Sequence, residues 1–121
     1  MITGIGVDIV QITRIAKVIQ RKQNALYNRI LHSNELIKLN TINHNKQVNF
    51  IAKRFAAKEA LAKALGSGIG RPFAFKDIEI NNNSDGKPYV IIHHEAWQND
   101  KHINISLADD FPQAIAFVVI S

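Results

Sequence analysis

Residues 47 to 65 read QVNFIAKRFAAKEALAKAL, and this stretch decides the fold. Alanine, leucine and lysine dominate it, and these residues have high helix propensity. Its apolar side chains recur at helical spacing, at Ile51, Phe55, Ala62 and Leu65. Gly66 follows at once and supplies a stop, because glycine readily adopts the left-handed conformation that ends many helices. The stretch therefore predicts a long helix packed on the core.

The residues that follow predict an antiparallel pair of strands. Residues 77–80 and 89–92 are short strand-like runs, and the cluster Asn81-Asn82-Asn83-Ser84-Asp85-Gly86 between them has the composition of a turn. A short helix is expected around Trp97, whose indole we interpret as a packing anchor.

The last part of the chain predicts two more strands. Residues 103–107 alternate between apolar and polar side chains, whereas residues 114–120 are almost all apolar. The segment Asp109-Asp110-Phe111-Pro112 separates the two runs. The second run carries more apolar surface than one small monomer is expected to cover.

Upstream of the central helix, residues 2–10 predict a strand that ends near Asp8. Its β-branched residues favour extended structure, and the glycines between them allow another backbone or a ligand to come close. Residues 25–42 predict a further helix with partial apolar periodicity, a cap at Ser33 and Glu35 in its first turn.

An amphipathic helix is predicted directly after that first strand. Its apolar face consists of Ile12, Ile15, Ala16 and Ile19. Its opposite face carries the basic residues Arg14, Lys17 and Arg21.

The order of these elements predicts an α+β fold, with helices packed on a largely antiparallel sheet, in one domain over residues 1–121. The chain has 46% hydrophobic and 21% charged residues, a composition typical of a globular protein. It contains no cysteine, which fits a reducing compartment. The N-terminal apolar stretch lacks a basic leader and is interrupted by Asp8, so a cytoplasmic protein without a membrane span is expected.

Three features are candidates for chemistry, and each has an ordinary structural explanation. Asp8 is a carboxylate in an apolar strand, but taken alone it is best explained as a cap of the next helix. Glu59 lies one helical turn before Lys63, where a solvated pair contributes only about 0.2–0.5 kcal/mol. The loop Gly66-Ser67-Gly68-Ile69-Gly70-Arg71 could bind phosphate, but it lacks the P-loop spacing and follows a helix rather than preceding one.

Taken together, the three features describe a possible phosphoryl-transfer site. Two carboxylates suit a hard cation, and lysines with an arginine suit phosphate oxygens. The formal net charge of +5 also predicts an anionic partner, without choosing between nucleic acid, a phosphorylated small molecule and an acidic protein.

Two motifs together resemble the paired signature of the 4′-phosphopantetheinyl transferases. The first is Gly4-Ile5-Gly6-Val7-Asp8-Ile9-Val10, and the second, some fifty residues later, is Arg54-Phe55-Ala56-Ala57-Lys58-Glu59-Ala60-Leu61-Ala62-Lys63-Ala64. The short, single-domain holo-acyl-carrier-protein synthases of that superfamily are also similar in the loop of residues 65–70, the Asp85-Gly86-Lys87-Pro88 turn, and residues 105–110 with 114–116. The resemblance runs essentially from end to end.

This resemblance implies transfer of phosphopantetheine from coenzyme A to a serine of an acyl carrier protein, in support of fatty acid biosynthesis. It implies that Asp8 and Glu59 hold Mg²⁺ against the pyrophosphate, and that Lys63 contacts phosphate oxygens. Mg²⁺ commonly takes one or two carboxylates plus phosphates and water, so two protein ligands suffice. Whether Glu59 or an ordered water accepts the serine proton is left open.

The resemblance also implies where substrates bind. The residues matching the coenzyme A pocket are Arg54, Lys63, Gly66, Ser67, Gly68, Lys87 and Pro88. The basic stripe of Arg14, Lys17 and Arg21 becomes a docking face for the acidic carrier protein, with Arg14 the best match to the family pattern. The family is usually a homotrimer with active sites between protomers.

This chain departs from the family at one position and offers no histidine motif. Many members carry a Ser/Thr-His pair where it has Ala108-Asp109, so a histidine-based role there is in doubt, although other members share the Ala-Asp pair. The five histidines, His32, His44, His93, His94 and His102, show no spacing typical of a shared metal. We interpret them as surface or filler residues.

The sequence leaves two alternative functions open. A basic nucleic-acid-binding module is suggested by the net charge and by Lys53, Arg54 and Lys58, but no groove-reading motif supports it. An inactive homologue that only binds carrier protein would keep the Arg14 face and show no turnover.

Overall fold

The computed structural model describes residues 1–66, 73–98 and 100–121. The helices are α1 (Ile12–Ile30), α2 (Ser33–Leu39) and α3 (His44–Leu65), and the strands are β1 (Gly4–Gln11), β2 (Ile78–Asn82), β3 (Pro88–Ile92), β4 (Ile103–Asp110) and β5 (Gln113–Ile120). A short 3₁₀ helix, Phe75–Asp77, precedes β2. The predicted α+β class is confirmed.

The strands form two antiparallel sheets. The larger has the order β1-β5-β4, and the smaller is the hairpin of β2 and β3. Alternate residues of β5 are buried beneath α3, and two of them, Ala114 and Ala116, are alanines that let the helix approach closely. The α3 helix is buried along most of its length and forms the centre of the core, so the predicted apolar stripe was too narrow.

The glycines of β1 allow this strand to press directly on α3. A Cβ atom on Gly6 would lie 1.9 Å from the carbonyl oxygen of Ala60, and one on Gly4 would lie 2.1 Å from that of Ala64. No side chain fits at either distance unless the backbone moves. The predicted close approach is confirmed, and the neighbour is the helix backbone.

The predicted helix over residues 25–42 is wrong as one continuous element. The α1 helix runs on to Ile30 with a non-helical residue at Lys22, and the chain is extended at Leu31 and His32 before α2 begins. Leu31 is buried in the core, at 2% exposure, and this burial determines where the helix is interrupted.

The cap of α2 is His32 rather than Ser33. The His32 ring accepts a hydrogen bond from the Asn34 backbone N–H, and Glu35 accepts one from the His32 N–H, which completes a capping box. The prediction that Glu35 lies in the first turn is confirmed.

Two smaller predictions also need correction. Trp97 lies after a turn rather than in a helix, although its partly buried indole does pack on the core edge-on to Phe73. Asp109 and Asp110 belong to β4, so only Phe111 and Pro112 separate β4 from β5. None of the described helices combines the length and apolar character that a membrane crossing requires.

Candidate active site

Asp8 lies on the inner face of β1 because its strand neighbours Gly6 and Val10 face α3 and side chains alternate along a strand. The Lys63 ammonium donates hydrogen bonds to the Asp8 carboxylate at 3.0 Å and to the Val7 carbonyl at 2.9 Å. The explanation of Asp8 as a helix cap is wrong, because Gln11 holds the N-cap position of α1 and makes no side-chain cap bond.

Glu59 lies one turn before Lys63 on α3 and borders the same cleft as Asp8. This cleft has a volume of about 540 Å³ and is also bordered by Arg14 of α1. Apolar side chains, among them Ile15, Val18, Leu26 and Phe55, form much of the remaining wall. The fold therefore brings Asp8 close to Glu59 and Lys63, which lie some fifty residues later in the sequence.

The electrostatics of Glu59 reflect this crowding. Burial raises the pKa of the Glu59 carboxyl, the nearby Asp8 charge raises it further, and Lys63 lowers it only in part. Asp8 and Glu59 both border the cleft, and Lys63 is bonded to Asp8. Two neighbouring carboxylates offer the oxygen ligands that a hard divalent cation prefers, so Asp8 and Glu59 fit Mg²⁺.

Lys58, one residue before Glu59, points the other way into the core. Its ammonium is fully buried and donates to the Glu35 carboxylate at 2.5 Å and to the carbonyls of Ile30 and Phe75 at 2.6 and 3.1 Å. Burial lowers the Lys58 pKa, and the Glu35 charge opposes that shift. Sequence reasoning treated Lys58 as part of a basic helix surface and missed this pair.

Arg54 is also buried, at 4% exposure. Its guanidinium lies 3.7 Å from the centre of the Phe50 ring and donates to the Ile80 carbonyl and the Asn82 side chain at 3.3 and 3.4 Å. Burial lowers the pKa of Arg54 to about 10, and the Glu35 charge opposes the shift. These contacts attach the β2–β3 hairpin to α3, and contact with coenzyme A stays a prediction.

The other predicted pocket residues lie outside the cleft or outside the described residues. Gly66 ends α3 in the left-handed conformation, with φ 75°, as predicted. Ser67 and Gly68 fall outside the described residues. Lys87 is exposed in the β2–β3 turn, and Pro88 pairs with Asn82 on the neighbouring strand. Arg54 donates a hydrogen bond to Asn82, which pairs with Pro88, so Arg54 and Pro88 both lie beside Asn82 in the β2–β3 hairpin. The metal-ligand candidates Asp8 and Glu59 lie in the cleft instead.

The predicted docking residues Arg14, Lys17 and Arg21 are all exposed on α1. Arg14 borders the cleft, so the basic stripe begins beside Asp8 and Glu59 and continues along the helix. This arrangement suits an acidic partner whose reacting group must enter the cleft.

Asp109, the second residue of the Ala108-Asp109 pair, has partners on α3. Its carboxylate lies 3.3 Å from the Lys53 ammonium and accepts a hydrogen bond from Asn49 at 3.5 Å. Both charged groups of the Lys53–Asp109 pair are partly exposed, so the pair contributes little to stability.

The interpretation of all five histidines as surface or filler residues missed a cluster of His32 and His93, although His93 is exposed as predicted. Their rings stack with centroids 4.2 Å apart, and both lie against the carboxylate of Glu79. No sequence spacing indicated this, because the three residues come from the start of α2, from β2 and from the residue after β3.

Comparison with known proteins identifies the class first. A family model of the 4′-phosphopantetheinyl transferase superfamily matches residues 4–116. The holo-[acyl-carrier-protein] synthase of Orientia tsutsugamushi (strain Ikeda) is 48% identical over 128 residues, which cover 100% of this chain and 98% of the relative.

Solved structures agree with this assignment. The holo-[acyl-carrier-protein] synthase from Neisseria meningitidis superposes with a TM-score of 0.92 at 37% identity, covering 100% of this chain and 99% of that one. The Bacillus anthracis synthase, solved in complex with CoA (3′,5′-ADP), gives 0.87 at 37% identity, covering 99% and 96%. The chain belongs to the 4′-phosphopantetheinyl transferase superfamily, as a member of its short holo-[acyl-carrier-protein] synthase family.

Proposed function

We propose that this chain catalyses the reaction of its family, the transfer of 4′-phosphopantetheine from coenzyme A to a serine of apo acyl carrier protein. In this reaction the serine oxygen forms a bond to the β-phosphorus while the bond from that phosphorus to the bridging pyrophosphate oxygen breaks. The products are holo acyl carrier protein and adenosine 3′,5′-bisphosphate, and the serine proton passes to a base.

The observation that carries this proposal is that Asp8 and Glu59 border one cleft and that Lys63 is bonded to Asp8 beside it. The carboxylates of Asp8 and Glu59 would hold Mg²⁺, which when bound neutralises pyrophosphate charge and orients its oxygens. The coenzyme A complex of the Bacillus anthracis relative supports the same substrate here.

Lys63 is the cation that the chain itself supplies for phosphate oxygens. Its ammonium is held by Asp8 and Val7 and its side chain is 55% exposed, so it can reach a phosphate in the cleft. Such a transfer depends mostly on positioning and on stabilising negative charge, and a fixed cation supplies both.

Glu59 is one candidate to accept the serine proton, because its carboxylate borders the cleft directly. An ordered water is the alternative base, as the sequence left open.

The acyl carrier protein would dock on the exposed stripe of Arg14, Lys17 and Arg21. The partners' opposite charges would raise the encounter rate, and Arg14 at the cleft would guide the serine inward. An expected signature is a transfer rate that falls as ionic strength rises.

We propose that the chain forms a homotrimer, with the outer face of the β1-β5-β4 sheet in the interface. Large apolar side chains that face away from α3 are exposed there, namely Ile5, Val7, Ile9, Ile115 and Phe117. A patch of this kind marks a protein interface. The number of copies comes from the family resemblance, and light scattering of the wild type and of Phe117→Glu would show whether a trimer forms and dissociates.

A cytoplasmic location and a role in fatty acid biosynthesis complete the proposal. Both depend on the family resemblance, and the absence of cysteine from the sequence fits the location.

The experiment that tests the activity is intact-mass spectrometry of apo acyl carrier protein incubated with this chain, coenzyme A and Mg²⁺. We expect a mass gain of one phosphopantetheine arm. The gain should disappear with a chelator and in Asp8→Ala and Glu59→Ala, and it should persist in Glu95→Ala, which removes an exposed carboxylate outside the cleft.

The alternatives give different results. No mass gain with several carrier proteins would contradict the enzyme hypothesis. Retained carrier binding would then indicate an inactive homologue, and salt-sensitive binding of DNA or RNA would indicate a nucleic-acid-binding module.

A further inference from the structure

A second cluster of metal-ligand side chains lies apart from the Asp8 and Glu59 cleft. His93 Nε2 lies 2.8 Å from Glu79 Oε1, and His32 Nδ1 lies 3.9 Å from the same oxygen. One ligand atom from each of the three residues lies within 4.8 Å of the other two. Two imidazoles and one carboxylate form a ligand set that binds Zn²⁺ in many proteins.

The carboxylate of this cluster is held in a fixed orientation. Asn34 donates a hydrogen bond to Glu79 Oε1 at 3.0 Å, and Asn81 donates one to Oε2 at 3.2 Å. Burial raises the pKa of Glu79, but hydrogen bonds from Asn34, His93 and Asn81 outweigh it and leave the pKa below its usual value. Outer hydrogen bonds of this kind orient ligands in metal sites.

A metal ion could reach the cluster from solvent. His32 and His93 border an open cavity of about 370 Å³ together with Lys76 and Asp77. Glu79 is 4% exposed, whereas the imidazole of His93, which contacts the Glu79 carboxylate, is 39% exposed. This geometry leaves room for water or another ligand beside the three protein groups.

We propose that His32, Glu79 and His93 form a binding site for a borderline divalent transition cation, Zn²⁺ being the first candidate. The ion would join the start of α2 to β2 and to the end of β3. Imidazole nitrogens select against Mg²⁺, which prefers oxygen ligands, so the site would be chemically distinct from the Asp8 and Glu59 pair.

Binding would require the stacked rings of His32 and His93, whose centroids are 4.2 Å apart, to turn so that one nitrogen of each faces the same ion. It would also exchange existing hydrogen bonds for metal–ligand bonds. The contact between His93 and Glu79 would be replaced by two bonds to the cation. Coordination through His32 Nδ1 would release the Asn34 backbone N–H from its cap, whereas coordination through Nε2 would keep it.

The test is isothermal titration of the full chain with Zn²⁺ alone as the ligand, in buffer containing excess Mg²⁺. We expect one equivalent to bind, and affinity to fall by more than about tenfold in His93→Gln and in His32→Gln. Asn81→Ala should weaken binding by about 10- to 100-fold by freeing the carboxylate. His102→Gln, which changes an exposed histidine outside the cluster, should bind as the wild type does.

Two readouts separate ligation from loss of structure. The melting temperature of each variant is measured without Zn²⁺, and only variants that melt cooperatively are compared. The absorption spectrum of bound Co²⁺ should show intense tetrahedral bands in the wild type and in Asp8→Ala, and lose them in His93→Gln. Absence of Zn²⁺ binding to the wild type, wild-type affinity in His93→Gln and His32→Gln, or loss of binding in Asp8→Ala would overturn the proposal.

Discussion

Two carboxylate–lysine pairs lie on opposite sides of α3, and they differ in how completely their charges are satisfied. Lys58 and Glu35 are buried, and the Lys58 ammonium has three hydrogen-bond acceptors. Lys63 and Asp8 are partly exposed beside Glu59, whose pKa is raised by burial and by negative charge that is incompletely balanced in the cleft. The first arrangement is suited to holding a fold and the second to binding a charged ligand.

The difference follows from which face of α3 each side chain occupies. Lys58 and Lys63 are five residues apart, so they point in directions well separated around the helix axis. Lys58 therefore stabilises the fold and Lys63 is available to a ligand, although both belong to the motif that resembles the family signature.

The largest expected effect concerns the buried pair. Lys58→Met removes the cation and leaves Glu35 buried without its main partner, which should lower the free energy of unfolding by about 3–5 kcal/mol. Chemical denaturation followed by circular dichroism measures this loss.

The double variant Glu35→Gln/Lys58→Met serves as the control. The His32 and Ile80 N–H groups donate to different oxygens of Glu35, and the amide introduced at position 35 has one oxygen, so it could keep one of these two hydrogen bonds. Because it also leaves no unpaired buried charge, part of the stability should return. Equal stability of Lys58→Met and the wild type would contradict the structural role of this pair.

The next effect concerns the exposed lysine and should appear in rate rather than in stability. Lys63→Met removes a cation from the cleft, and kcat/KM for transfer should fall by about 10²-fold. Its free energy of unfolding should change by less than about 1 kcal/mol, because the Lys63–Asp8 pair is solvent-accessible. A variant that loses stability and keeps its rate would reverse the assignment of the two lysines.

The smallest effect concerns the raised pKa of Glu59. A carboxyl whose pKa is higher in the folded chain than in the unfolded chain costs stability when it is ionised, above the folded pKa. This cost shrinks as the pH falls through the folded pKa and is absent below the unfolded pKa. In metal-free buffer at neutral pH, Glu59→Gln should therefore melt higher than the wild type, by no more than about 4 °C.

Thermal melts from neutral to acidic pH check this prediction. The advantage of Glu59→Gln should narrow as the pH falls, whereas Glu95→Gln, at an exposed position, should follow the wild type throughout. A Glu59→Gln variant less stable than the wild type at neutral pH would show that the ionised carboxylate stabilises the fold.

Local patterns predicted most of the fold. Helical spacing and Gly66 predicted α3, turn composition between two strand-like runs predicted β2 and β3, alternation predicted β4, and a nearly continuous apolar run predicted β5. The break at Leu31 escaped prediction because it depends on burial against distant elements, and a periodicity that continues across a break resembles one helix.

The candidate site could be predicted only in part. The paired motifs indicated Asp8, Glu59 and Lys63, and the fold places all three together. The buried Glu35–Lys58 pair and the cluster around Glu79 carry no local signal, because their members lie far apart in the sequence and meet only through packing. The burial of Arg54 could not be predicted from the sequence either, because an arginine on a basic helix is usually solvated.

The most direct test of the central claim is the Mg²⁺ dependence of the transfer rate in the wild type and in Glu59→Gln. The wild-type rate should rise to saturation with Mg²⁺ and vanish with chelator. The Glu59→Gln rate should be lower by at least about 10²-fold and should need more Mg²⁺ to saturate, although that protein is fully folded. A Glu59→Gln enzyme with the wild-type rate at the same Mg²⁺ concentrations would contradict the assignment of this cleft as the catalytic site.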